Sequence, residues 1–219
     1  HAIVYADEIS NRKTRPYITY PQGNFASPVF HGERPDPMPH YEMTGNPVSI
    51  AFSEQSPPVK MRSFKLYQDT KEIKDVKILD KDNDPNRLLT ERQFALFPLQ
   101  PLEYDTNYRA VFEYRQNGKD RTAEWTFSTQ KPDYPYFIVK GGETLAIESG
   151  QKYFIHWQDF WCLKQCERYN YRMNRDTQLD IIERQAGGII IRVNGSKGSS
   201  IRLMPEGEDR RAITLYLWK

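Results

Sequence analysis

Two cysteines, Cys162 and Cys166, sit inside the aromatic run Phe160-Trp161-Cys162-Leu163-Lys164-Gln165-Cys166. Thiols at this spacing can close a short structural disulfide, cycle as a redox pair, or supply half of a metal site. A redox motif has two residues between its cysteines where this chain has three, and the nearby imidazole is His156 alone. The favoured pairing is therefore a disulfide, Cys162 to Cys166, constraining its loop by roughly 2–3 kcal/mol. Around it stand Trp157, Phe160 and Trp161, followed by Tyr169 and Tyr171. Rings projecting from the end of a β-sandwich make a flat platform for sugar rings, apolar side chains or a proline-rich peptide. On a succeeding strand Arg168 and Arg172 share one face, offering guanidinium donors to carboxylate or phosphate. The candidate binding residues are thus Trp157, Phe160, Trp161, Arg168 and Arg172. The competing reading places Trp157 and the tyrosines in a core and the arginines in solvent.

Other chemistry is sparse. Asp80, Asp82, Asp84 and Glu91 match the acidic positions of a calcium loop, but Pro85 stands where the sharp turn needs glycine, which favours a solvated acidic turn. His1, His31, His40 and His156 are scattered, and no serine lies in a Gly-x-Ser-x-Gly elbow. His31 and His40 bracket Glu33 and Asp36 at a spacing that fits no helix-borne metal motif. Asn194-Gly195-Ser196 is a formal glycosylation acceptor, although Asn-Gly reads first as a hairpin turn. The expectation is no catalytic residue, no metal ligand and no cofactor.

The elements that position these residues are strands. Of 219 residues, 14 are Tyr, 11 Phe, 4 Trp and 15 Pro, a mixture suited to short strands joined by stiff loops. Lys and Arg number 31 against 29 Asp and Glu, a net charge of +2 that supplies no general field for a nucleic-acid backbone. A mean hydropathy of -0.78 without a long apolar run argues against a membrane-spanning helix. Residues 1–41 read as an irregular Pro-rich linker with one N-terminal strand, Ala2 to Tyr5. Residues 42–131 alternate as strands, with Asn117-Gly118 as the strongest hairpin signal. Residues 132–219 read as a second β-rich domain with turns at Gly141-Gly142, Ser149-Gly150, Gly187-Gly188, Asn194-Gly195 and Glu206-Gly207. The predicted fold class is all-β: a two-sheet sandwich, which the resemblance below makes Ig-like or fibronectin-III-like, followed by a second small β domain.

The stretch Pro101-Leu102-Glu103-Tyr104-Asp105-Thr106-Asn107-Tyr108 resembles the corner of immunoglobulin-like and fibronectin-III-like domains, in which a Tyr hydroxyl, here that of Tyr108, ties the turn to backbone. The order PVFHGERPDPMP, GNPVSIAF, FALFPLQPLEYDTNYRAVFEY and EWTFST further resembles the C-terminal region of bacterial CAP-superfamily (cysteine-rich secretory protein-like) proteins, in which an Ig-like module follows the CAP domain. That resemblance covers about residues 1–131 and leaves 132–219 unassigned. Its paired His and Glu cavity residues have no equivalents in this sequence. It implies an exported bacterial protein, periplasmic or at the cell surface. The chain's opening at His1 reads as a removed leader or an excised piece of something longer. The function expected is a non-catalytic cell-envelope module that docks an upstream domain of the same polypeptide. Cell-wall glycan or an envelope protein is the further partner expected; no nucleic acid and no membrane span are. The alternative is a carbohydrate- or peptidoglycan-active enzyme fragment with a site assembled between the two β domains.

Overall fold

A computed structural model describes residues 16–158, 160–161, 168–173 and 176–219. The chain divides into two compact units, one ending at Lys131 and the other starting at Pro132. In the first unit β1 (Tyr17–Tyr20), β5 (Val48–Phe52), β9 (Gln93–Pro98) and β8 (Val76–Leu79) form one sheet in the order β1-β5-β9-β8. The second sheet runs β2-β11-β10-β6-β7, from β2 (Gly23–Ala26), β11 (Lys119–Thr129), β10 (Asn107–Gln116), β6 (Lys60–Gln68) and β7 (Lys71–Glu72). Short β3 (Val29–Phe30) and β4 (Thr44–Gly45) pair with each other. Asn117 and Gly118, with φ of 51° and 73°, make the two-residue hairpin between β10 and β11.

Alternation along the strands turns Val48, Ile50 and Phe52 toward Phe64, Leu66, Ala110 and Phe112 to build the core. Strand β9 is buried along its whole length. Its second face is covered by Phe30 and Met38, which pack with Leu79, Ala95 and Phe97. This corrects the reading of residues 1–41 as a linker. The described part of that segment supplies one strand to each main sheet, β1 and β2, and the short β3, and its Pro-rich run helps bring Phe30 and Met38 onto the sandwich, where prolines hold extended backbone at little entropic cost. The predicted strand Ala2 to Tyr5 lies outside the described residues.

The second unit repeats the plan. Strands β12 (Tyr136–Val139), β14 (Lys152–Trp157), β17 (Gly188–Gly195) and β16 (Thr177–Gln185) make one sheet in the order β12-β14-β17-β16. Strands β13 (Thr144–Ile147), β19 (Ile213–Leu217), β18 (Ser200–Pro205) and β15 (Tyr169–Met173) make the other in the order β13-β19-β18-β15. In both units the leading segment changes sheets and then runs parallel to the last strand, β2 beside β11 and β13 beside β19. Apart from those pairs and the parallel β12–β14 pair, the strands are antiparallel, and two such sheets around one core make both units immunoglobulin-like. At the second crossing Gly141 has a φ of 133°, and a Cβ there would lie 2.2 Å from the Arg210 carbonyl oxygen. Asn194-Gly195 is not a turn: both residues end β17, paired with Gln178 and Thr177, because a neighbouring strand extends that far. The β16–β17 turn falls at Ala186-Gly187, with Gly188 inside the strand.

The tyrosine corner is present twice. Tyr108 is buried and its hydroxyl accepts the Glu103 amide at 2.9 Å. Tyr153 does the same with the Glu148 amide at 3.0 Å. Both follow the pattern apolar-Glu-x4-Tyr, from Leu102 and Ile147, with a positive φ three residues before the tyrosine, at Asp105 (48°) and Gly150 (79°). The left-handed residue reverses the chain so that the amide points back at the ring. Tyr108 sits on β10 and Tyr153 on β14, so one local device serves different strands of the plan.

Candidate functional site

The structure separates the residues that sequence grouped into one platform. Trp157 is fully buried and its indole N–H donates to the Arg211 carbonyl at 2.8 Å, which corrects its assignment as a binding residue. It alternates with Tyr153 and Ile155 on the inward side of β14, so its place in the core follows from strand parity. Phe160 packs at the core margin, with the Arg211 guanidinium 4.9 Å from its ring centre. Trp161 is half-buried, tilted over His156 at 4.7 Å between ring centres. The His156 Nδ1 in turn lies within hydrogen-bonding distance of the Gly187 carbonyl oxygen. Gly187 is required here: a Cβ on it would lie 2.5 Å from the Trp161 ring. Neither ring stands free as a platform, since both spend much of their apolar area on the domain itself. Cys162 and Cys166, and with them the expected disulfide, lie outside the described residues.

Arg168 and Arg172 lie elsewhere. Tyr169 belongs to the core, so Arg168, Asn170 and Arg172 point away from it, on the outer face of the β13-β19-β18-β15 sheet. His156 belongs to the opposite sheet, and Trp161 packs against it. The same parity puts Arg202 and Met204 of β18, and Thr214 and Tyr216 of β19, on the outer face, because Ile201, Leu203, Ile213 and Leu215 are core. Trp218 continues this line just past β19. Tyr216 is 39% and Trp218 44% exposed. Arg172 and Arg202 are directly opposed partners in the β15–β18 ladder, and Arg202 is in turn opposite Thr214. None of the outward strand positions on this face carries a carboxylate; Glu206 stands at the rim, its amide donating to the Arg168 carbonyl at 3.1 Å. Among the described residues Arg168, Arg172 and Arg202 make no ion pair.

The corresponding face of the first unit is finished differently. There Arg109 pairs with Glu124 at 3.4 Å and lies 4.6 Å from the centre of the Tyr67 ring. Ser63 donates to Glu113 at 2.6 Å, and Lys65 lies 3.9 Å from Glu72. One sheet face neutralises its charge internally. The other sets two arginines opposite each other on adjacent strands, a pairing of like charges that works against stability.

Sequence could not find Arg202, Tyr216 or Trp218, because they reach Arg172 only through the β15–β18–β19 register. The acidic loop has a structural occupation. The buried Asp84 carboxylate accepts the amides of Asn86, Leu88 and Leu89 at 2.7–3.0 Å, and Asp80 accepts those of Asp82 and Asn83. Glu91 pairs with Arg92. No cluster of three or more His, Cys, Asp or Glu able to hold a metal ion occurs among the described residues. Burial also marks the supporting tyrosines. It lifts the Tyr104 phenol to about 12, and lifts Tyr169, behind the arginine face, to about 12 against the opposing charge of Arg184.

No protein-family model matches the chain, and no curated protein sequence does. Among solved structures, a titin I-band fragment (I67–I69) aligns over 93% of this chain and 66% of its own, with 10% identity and a TM-score of 0.27. Domains 4 and 5 of the S-layer protein SbsC align over 73% of this chain and 100% of theirs, with 13% identity and a TM-score of 0.25. An endo-fucoidan hydrolase of glycoside hydrolase family 107 aligns over 78% of this chain and 26% of its own, with 8% identity and a TM-score of 0.26.

Proposed function

We propose that this chain is a non-catalytic binding module in which the outer face of the β13-β19-β18-β15 sheet holds an anionic glycan. The observation that carries this reading is the Arg172–Arg202 pair. Two exposed arginines stand opposite each other on adjacent strands, with no acid at the outward strand positions, and the exposed rings of Tyr216 and Trp218 follow along β19 and just past it. Guanidinium forks recognise carboxylate or sulfate oxygens in pairs, and an exposed ring offers a flat apolar surface to the face of a sugar. A broad sheet surface suits an extended polymer, which gains affinity by repeating weak contacts. The CAP-like sequence features of the first unit support placing such a module downstream of another domain in an exported bacterial protein.

The test is calorimetric titration of the full chain with polygalacturonate, uncharged dextran and polyaspartate. The reading predicts binding of polygalacturonate that weakens moderately as salt is raised, and none of dextran. Failure to bind polygalacturonate, or tighter binding of polyaspartate, would contradict it, the latter pointing to an acidic protein as partner.

A further inference from the structure

The first unit carries a concavity of its own, independent of the arginine face. It has a volume of about 600 Å³ and spans strands β2, β11 and β10 and the β6–β7 turn at one end of the β2-β11-β10-β6-β7 sheet. The buried rings of Tyr108 and Phe127, stacked at 5.5 Å, lie beneath it. Its walls carry several polar side chains: Asn24 from β2, Ser128 from β11, Asn107 from β10 and Asp69 from the β6–β7 turn. Asn107 accepts the Ser128 hydroxyl at 2.5 Å, leaving its amide N–H groups for other partners, whereas Arg109, also in the wall, is already engaged by Glu124. Asp69 holds a left-handed backbone, with a φ of 52°.

Phe25 completes the arrangement. It is 82% exposed, more than any other large apolar side chain described. Its ring leans toward Gly23, a wall residue with a φ of 73°, where an added Cβ would stand 3.7 Å from the ring. A glycine here permits the tight reversal after Pro21 and keeps the space between ring and concavity open. An aromatic this exposed forgoes the burial that its type usually gains, and it does so next to Gly23, a residue of the concavity's wall.

We infer that this concavity is a saccharide site taking one neutral sugar unit, with Phe25 stacking on the ring and Asp69, Asn24 and Asn107 bonding its hydroxyls. A carboxylate with neighbouring amides supplies the mixed acceptors and donors that adjacent hydroxyls require, and an aromatic face matches the apolar C–H side of a pyranose. With Arg109 engaged by Glu124, the wall offers no free cation to favour an anionic sugar.

The experiment uses the isotope-labelled full chain, titrated with cellotriose, chitotriose and mannotriose while amide resonances are followed. At least one of these probes shifts the Gly23, Asn24, Asp69 and Ser128 amides. Phe25→Ala weakens that binding roughly tenfold, and Asp69→Asn weakens it without altering the rest of the spectrum. An Arg172→Thr/Arg202→Thr protein binds the same probe unchanged, which separates this site from the arginine face. Silence with all three probes, shifts confined to other residues, or full affinity in Phe25→Ala would overturn the inference.

Discussion

At the scale of single residues, the two tyrosine corners make the clearest energetic claim. Each hydroxyl satisfies a backbone amide that burial would otherwise leave unpaired, so Tyr108→Phe and Tyr153→Phe should each cost about 1 kcal/mol in denaturant unfolding, with slopes unchanged. An unaltered midpoint in either would remove that corner from the account. Burial of the phenols has a consequence in alkali. Tyr104 and Tyr169 ionise near 10.0 when unfolded and at about 12 when folded. Their contribution is therefore fully present below pH 10.0 and is lost as pH rises from there through about 12. Stability measured across that window should fall, and Tyr104→Phe should flatten the fall. Tyr108 was legible in the sequence because a Leu, a compact turn and a Tyr stand in a familiar order. Tyr153 has the same corner before the third strand of its sandwich rather than late in it, where the familiar order does not place one. Trp157 was misassigned because aromatic proximity in sequence says nothing about parity, and one strand step separates core from surface.

At the scale of elements, the strand pattern was readable wherever apolar and polar residues alternate, as in β6, β10 and β19. It failed where pairing overrides local turn chemistry. Asn194-Gly195 is a strong turn signal, yet β16 extends alongside and draws both residues into the ladder. Gly188 makes the same point energetically: a Cβ there would lie 2.0 Å from the Ile155 carbonyl oxygen across the β14–β17 pair. Gly188→Ala should therefore destabilise the second unit by about 2–3 kcal/mol, measured by thermal or denaturant unfolding. A neutral outcome would show that β14 and β17 can part at that point. Gly187 sits beneath Trp161 and ties the loop after β14 to the outer face of that sheet. The opposed Arg172 and Arg202 lie on an edge pair of the other sheet, a position where like charges work against pairing. Replacing either by Thr, a good strand former, should leave stability unchanged or raise it by a few tenths of a kcal/mol at low ionic strength.

At the scale of the whole molecule, each unit has its own core and its own tyrosine corner, and each ends one sheet face in a different electrostatic state. The all-β sandwich character was legible from composition and strand spacing, and the immunoglobulin-like character of the first unit from the resemblance around Tyr108; the second unit read only as a small β domain. The candidate surface was only half legible: Arg168 and Arg172 were visible from one strand's alternation, whereas Arg202, Tyr216 and Trp218 join them through cross-strand register.

The most direct test compares the wild-type chain with Arg172→Thr/Arg202→Thr in two measurements on the same preparation, polygalacturonate affinity and thermal stability. A face kept for binding predicts that affinity falls about tenfold or more while the melting temperature holds or rises. Unchanged affinity in the double variant would show that the arginine pair is solvated surface and that the ligand, if one binds, is held elsewhere.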